Sequence, residues 1–126
     1  MAINILLVDD DPVQGATRKT ILERAGFLVR VASDGAQALA FLNSPQGNAV
    51  RMVITDHLMP AMNGPELVRA LRRSGFHFPV LALSGYAYAE EEYRGLDVVF
   101  RLKPFPPDQL IALVQFLLAE AERLTA

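Results

Sequence analysis

Ile5-Leu6-Leu7-Val8-Asp9-Asp10-Asp11-Pro12 is a run of four apolar residues that stops on three acids and a proline. A short continuous apolar burst is how a strand buried on both faces reads. Asp11 before Pro12 reads as a cap followed by a first helical residue, because proline lacks only an N–H that would have no partner there. A buried strand therefore feeds a helix, with acids at the junction. The same alternation continues along the chain. The first burst reaches back to Ile3, and others cover Phe27–Ala32, Met52–Thr55, Val80–Leu83 and Val98–Leu102.

Helix signals separate the bursts. Gly26 reads as the stop of the first helix. Asp34 with Gln37, and Asn63 with Glu66, resemble capping boxes, and Pro65 is tolerated in a first turn. Leu110, Leu113, Val114, Leu117, Leu118, Ala121 and Leu124 make one stripe at helical spacing. Between Ser84 and Val98 the candidate helix, around Tyr88 to Arg94, is short enough to be little more than a turn. The expected fold is α/β: a doubly wound, five-stranded parallel sheet of order 2-1-3-4-5 with helices on both faces and a short or irregular fourth helix.

Bulk properties narrow the function. At 126 residues, 52% of them hydrophobic, the chain suits one domain, taken as residues 1–126. It has no cysteine, which excludes disulfides and thiolate chemistry. A net charge of −2 argues against nucleic acid and anionic lipid as partners. MAINILLVDD lacks the pattern of a secretory leader, and Leu110–Ala119 is too short to span a bilayer. A soluble, cytoplasmic protein without membrane contact is expected.

Parallel sheets of this kind bind ligands beyond the carboxyl ends of their strands. Asp9, Asp10 and Asp11 follow the first strand, Asp56 the third, Ser84 the fourth and Lys103 the fifth. Singly, each has a plain reading as a cap, a turn residue or a solvated charge. Jointly, they converge on one rim. Converging carboxylates repel unless a proton or cation intervenes. With oxygen ligands only, Mg²⁺ suits best, since it takes few carboxylates and accepts a phosphate oxygen. A carboxylate beside it can attack a phosphoryl group, with Lys103 and the Ser84 hydroxyl meeting the charge on the transferring oxygens.

The stretches ILLVDDDP (5–12), VITDHLMPAMNG (53–64), VLALSG (80–85) and FRLKPF (100–105) resemble, in order and spacing, the signatures of response-regulator receiver domains, which share a flavodoxin-like fold. The resemblance implies that Asp56 is the phosphorylated aspartate. It implies Mg²⁺ held by Asp10, Asp56, the backbone carbonyl of Leu58 and, through water, Asp9. Ser84 becomes the switch hydroxyl, Lys103 the phosphate-pairing lysine, and Phe100 the aromatic whose rotamer reports phosphorylation. Pro104 matches a proline that usually follows a cis bond. The implied partners are a histidine kinase or histidine phosphotransfer protein and a downstream protein target. No substrate turnover beyond self-phosphorylation and self-dephosphorylation is implied. The chain shows no helix-turn-helix or cyclase signature, so signalling through protein contacts is expected.

Some positions depart from the usual pattern. Asn63-Gly64 stands where Asp-Gly is frequent, and either can cap a helix. Gly85 and Tyr86 follow Ser84 where alanine and a polar residue are commoner. Leu58 and Tyr86 carry the side chains expected to flank a phosphoryl group. His57 is read as a rim residue facing away from Asp56, His77 as surface, and Met59 and Met62 as loop packing. Glu90-Glu91-Glu92 reads as a solvated first helical turn.

Three rival readings share parts of this pattern. Asp9 to Val13 also fit the opening of a haloacid-dehalogenase-type phosphatase, but such an enzyme needs a further acidic metal pair beyond the lysine, where only Asp108 lies nearby, and Asp56 would be idle. A flavin-binding module would place three repelling aspartates where a phosphate loop belongs. A degenerate receiver, serving only as a binding module, would be expected to have lost the acceptor, an acidic partner or the lysine.

Overall fold

A computed structural model describes residues 3–125. Five strands, β1 (Asn4–Val8), β2 (Leu28–Ala32), β3 (Val50–Asp56), β4 (Val80–Ser84) and β5 (Val99–Leu102), form one parallel sheet of order 2-1-3-4-5. The α-helices are α1 (Pro12–Arg24), α2 (Gly35–Leu42), α3 (Gly64–Arg73) and α4 (Pro107–Thr125). Two 3-10 helices cover Pro45–Ala49 and Ala87–Tyr93. The second of these stands where the irregular fourth helix was expected.

Strand alternation sorts the core into two halves. Leu6, Val8, Val53, Val80 and Ala82 face one side, under α2, α3 and the Ala87–Tyr93 turn. Ile5, Leu7, Met52, Ile54, Leu81 and Leu83 face the other, under α1 and α4. The central strands β1, β3 and β4 are almost wholly buried, which is why they read as unbroken apolar runs. The edge strand β2 does not share that burial: Leu28 is 52% and Val31 38% exposed. The stripe on α4 buries Leu110, Val114 and Leu118, whereas Leu124 is solvent-exposed beyond the sheet.

The caps fall where the sequence places them. The Asp11 carboxylate accepts from the Val13 and Gln14 N–H groups, and Asp34 accepts from the Gln37 N–H. Only half a capping box forms at α2, because the Gln37 side chain turns instead to Ser33. At α3 the reciprocal box is complete between Asn63 and Glu66. Gly26 ends the first helical unit at φ 98°, a conformation that glycine adopts without Cβ strain. The Lys103–Pro104 peptide is cis.

One side chain with no sequence signal ties the base of the sheet together. The Arg72 guanidinium donates to the carbonyls of Phe76, Phe78, Leu96 and Asp97 at 2.8–3.0 Å, joining the approaches to β4 and β5. Removing it strands several carbonyls at once. Arg72→Ala should destabilise the fold by about 2 kcal/mol. An unchanged urea midpoint would show these bonds to be dispensable.

Candidate functional site

The carboxyl ends of β1 and β3 lie side by side, with Val8 opposite Thr55, so the residues that follow them meet. Asp9 is 2% and Asp56 4% exposed, while Asp10 faces solvent. Each of the three offers a carboxylate oxygen, and these oxygens lie within 4.8 Å of one another. Such a compact, all-oxygen set favours a hard divalent cation over a softer one. Among the described residues it is the single acidic or imidazole cluster of this kind.

The cluster is electrostatically loaded. Burial, then a hydrogen bond that a protonated Asp9 donates to the Asp56 carboxylate, pushes Asp9 up to about 7, against the lowering influence of the Asp11 N–H and Arg18. Asp11 lies outside the cluster and moves the other way. The N–H groups of Gln14 and Val13 stabilise its ionised form, as its capping role requires.

Lys103 arrives from the end of β5 and places its Nζ 2.7 Å from Asp56 Oδ1. Ser84 closes β4, and its hydroxyl accepts from the Tyr86 N–H at 3.0 Å. A cavity of about 310 Å³ opens between these groups, lined by His57, Leu58, Leu83, Ser84, Gly85, Tyr86 and Lys103. Leu58 and Tyr86 flank it and are 60% and 48% exposed. Phe100 is already buried, with its ring 5.9 Å from that of Tyr93. The predicted residues thus come together on one rim, with Phe100 packed behind it. Met59 and Met62 pack against the core, and His77 is exposed, as expected.

His57 departs from the rim position expected of it. It is 4% exposed; its Nδ1 lies 2.9 Å from the Tyr93 hydroxyl and its Nε2 3.2 Å from Glu92. A carboxylate only accepts, so Nε2 is the ring nitrogen that donates toward Glu92, and Nδ1 shares a hydrogen bond with the Tyr93 hydroxyl. Burial, aided by the charges of Glu92 and Asp56, holds the Tyr93 phenol well above its ordinary range and keeps it protonated. Glu92 is therefore a partner of His57 rather than part of a merely solvated turn.

Two further residues belong to the site and were not read from the sequence. Arg18 Nη1 lies 2.8 Å from Asp9 Oδ2 and 3.4 Å from Asp56 Oδ1. Gln14 Oε1 accepts from both Arg18, at 3.3 Å, and Lys103, at 3.2 Å. Once α1 is known to start at Pro12, the spacing of Asp11, Gln14 and Arg18 puts all three on its inner face.

The family model for the response regulator receiver domain matches residues 5–115, and the chain belongs to that family. Receiver domains are the signalling modules of two-component systems, and the chain is one of them. It is 33% identical to the alkaline phosphatase synthesis transcriptional regulatory protein SphR of Synechococcus elongatus, over 99% of this chain and 52% of that protein. It thus spans about half the length of the curated relatives it matches. The receiver domain of the Francisella response regulator 1452 superposes with a TM-score of 0.85 at 30% identity, covering 94% of this chain and 98% of that one. Chemotaxis protein CheY4 of Vibrio cholerae gives 0.82 at 29%, covering 93% and 99%. Neither the phosphatase nor the binding-only reading gains support. Asp108, the acid a phosphatase would need, sits in the first turn of α4, outside the acidic cluster. No helix among the described residues is long and apolar enough to cross a membrane.

Proposed function

We propose that this chain, as one receiver unit over residues 1–126, accepts a phosphoryl group on the Asp56 carboxylate from a histidine kinase or histidine phosphotransfer protein. The observation that carries the reading is the pairing of Asp56 with Lys103 at 2.7 Å beside two further carboxylates at adjoining strand ends. Asp10, Asp56 and the Leu58 carbonyl, with Asp9 through water, would hold Mg²⁺. Bound there, it would neutralise charge on the phosphoryl oxygens and on the attacking carboxylate.

A carboxylate oxygen of Asp56 attacks phosphorus as the bond to the donor imidazole nitrogen breaks. An acyl phosphate forms, and the imidazole leaves with a proton from solvent. Lys103 pairs with the transferred oxygens, which bring nearly two negative charges and three acceptors to the rim. The Ser84 hydroxyl can turn from Tyr86 toward them, and Phe100, on the neighbouring strand and buried against Tyr93, would register that movement through its packing. The product is a change in surface presented to a downstream protein, with no separate substrate turned over and no nucleic acid or membrane contacted. The setting is cytoplasmic.

Acetyl phosphate with Mg²⁺ should add one phosphoryl group per chain, on the peptide containing Asp56, and chelation of the metal should prevent it. Mass spectrometry decides the matter. Labelling confined to the peptide holding Asp9 would favour phosphatase-like chemistry instead.

A further inference from the structure

Both oxygens of Asp9 are already engaged by the chain itself. Oδ1 accepts from the Asp11 N–H at 2.9 Å, and Oδ2 takes the Arg18 guanidinium at 2.8 Å. The same guanidinium nitrogen reaches Asp56. We propose that Arg18 is a resident counter-cation that a divalent metal must displace from Asp9 and Asp56, so that it sets the metal concentration at which the site fills. The inference rests on the metal-dependent reading above.

The argument is one of charge and reach. Three carboxylates converge within 4.8 Å, and Arg18 and Lys103 supply two positive charges against them. The metal-free site is thus nearly balanced by side chains alone. A divalent cation placed among the three carboxylates would share Asp9 and Asp56 with the guanidinium, and two cations on the same acids repel. Arg18 can leave, since its side chain is 15% exposed on the face of α1 and its other partner is the Gln14 amide at 3.3 Å. Lys103 cannot be the displaced group without loss, because it must remain to meet the phosphoryl oxygens. The device has two effects. It relieves carboxylate repulsion in the metal-free fold, and it weakens metal binding by the same interaction.

Arg18→Met removes the charge and keeps a long apolar stem on the helix face. Titrated with Mg²⁺ alone and followed by calorimetry or NMR, this variant should bind about tenfold tighter than the wild type, the repulsion expected of a divalent ion and a guanidinium about 6 Å apart in water. In chelator it should be less stable than the wild type, and saturating Mg²⁺ should return more of its stability. In the unaltered protein, the Arg18 side-chain NH resonances should move in step with the same titration, a readout that does not depend on the variant folding. Equal or weaker binding by Arg18→Met, or stationary Arg18 resonances while the wild type fills, overturns the displacement. If neither protein binds Mg²⁺, the metal-dependent reading fails with it; if both bind equally, only the role of Arg18 falls.

Discussion

Asp56→Asn should take up no phosphoryl group from acetyl phosphate under conditions expected to label the wild type fully. The carboxamide has the size of the carboxylate, so the packing at this 4%-exposed position is kept. What changes is chemistry: the amide oxygen is a poor nucleophile and carries no charge to draw either Lys103 or a cation. The Nζ of Lys103 loses an ion pair of 2.7 Å but stays positioned by Gln14. Lys103→Met completes the test from the other side. It leaves the nucleophile intact and removes the positive charge that meets the transferring oxygens, so uptake should slow by about 10²- to 10³-fold without being abolished. The phosphorylated fraction over time, read by intact mass, separates the two outcomes. An asparagine variant labelled at the wild-type rate would move the acceptor to another residue.

Those residues were legible because strand ends are legible. A continuous apolar burst fixes where a buried strand runs, and the polar residue that ends it must lie at the sheet's rim. Asp9, Asp56, Ser84 and Lys103 were all found this way. The failures are of two physical kinds. The apolar burst at β2 predicts burial on both faces, but such a burst does not say whether its strand is central or at an edge, and Leu28 and Val31 are exposed. Long side chains on helices carry no comparable signal. Arg18 and Arg72 carry charges that composition assigns to solvent, yet each reaches back across its helix to a cluster of acceptors formed by distant segments. Little local marks such a residue, because the partners that matter most, Asp9 and Asp56 for Arg18 and Leu96 and Asp97 for Arg72, lie outside its own helix. His57 belongs to the same kind: the sequence puts it next to Asp56 and facing away, but gives no hint that Tyr93 and Glu92 are waiting there.

That His57–Tyr93 contact makes Gly64 the most sensitive glycine near the site. Gly64 opens α3, and on helix propensity alone alanine would be the better residue there. Packing reverses the sign. A Cβ at this position would overlap the Tyr93 hydroxyl and stand 3.0 Å from the Asp56 carbonyl oxygen and 3.2 Å from the His57 Cα. Two of these neighbours are backbone, fixed by the Gly64 N–H bond to the His57 carbonyl at 2.8 Å. Tyr93 has little room to yield, being 5% exposed and packed against both His57 and Phe100. Gly64→Ala must therefore either push Tyr93 off His57, leaving buried polar groups without partners, or shift the loop that follows Asp56. Either route should destabilise the fold by about 3 kcal/mol. Gly85→Ala, where no atom beyond its chain neighbours lies within 4 Å of the new Cβ, should leave stability unchanged and serves as the control. Urea unfolding gives both values, and the His57 ring resonances report whether its bond to Tyr93 survives. A Gly64→Ala protein as stable as the Gly85→Ala control would mean that the close packing between the Asp56 loop and Tyr93 has slack that the structure does not contain.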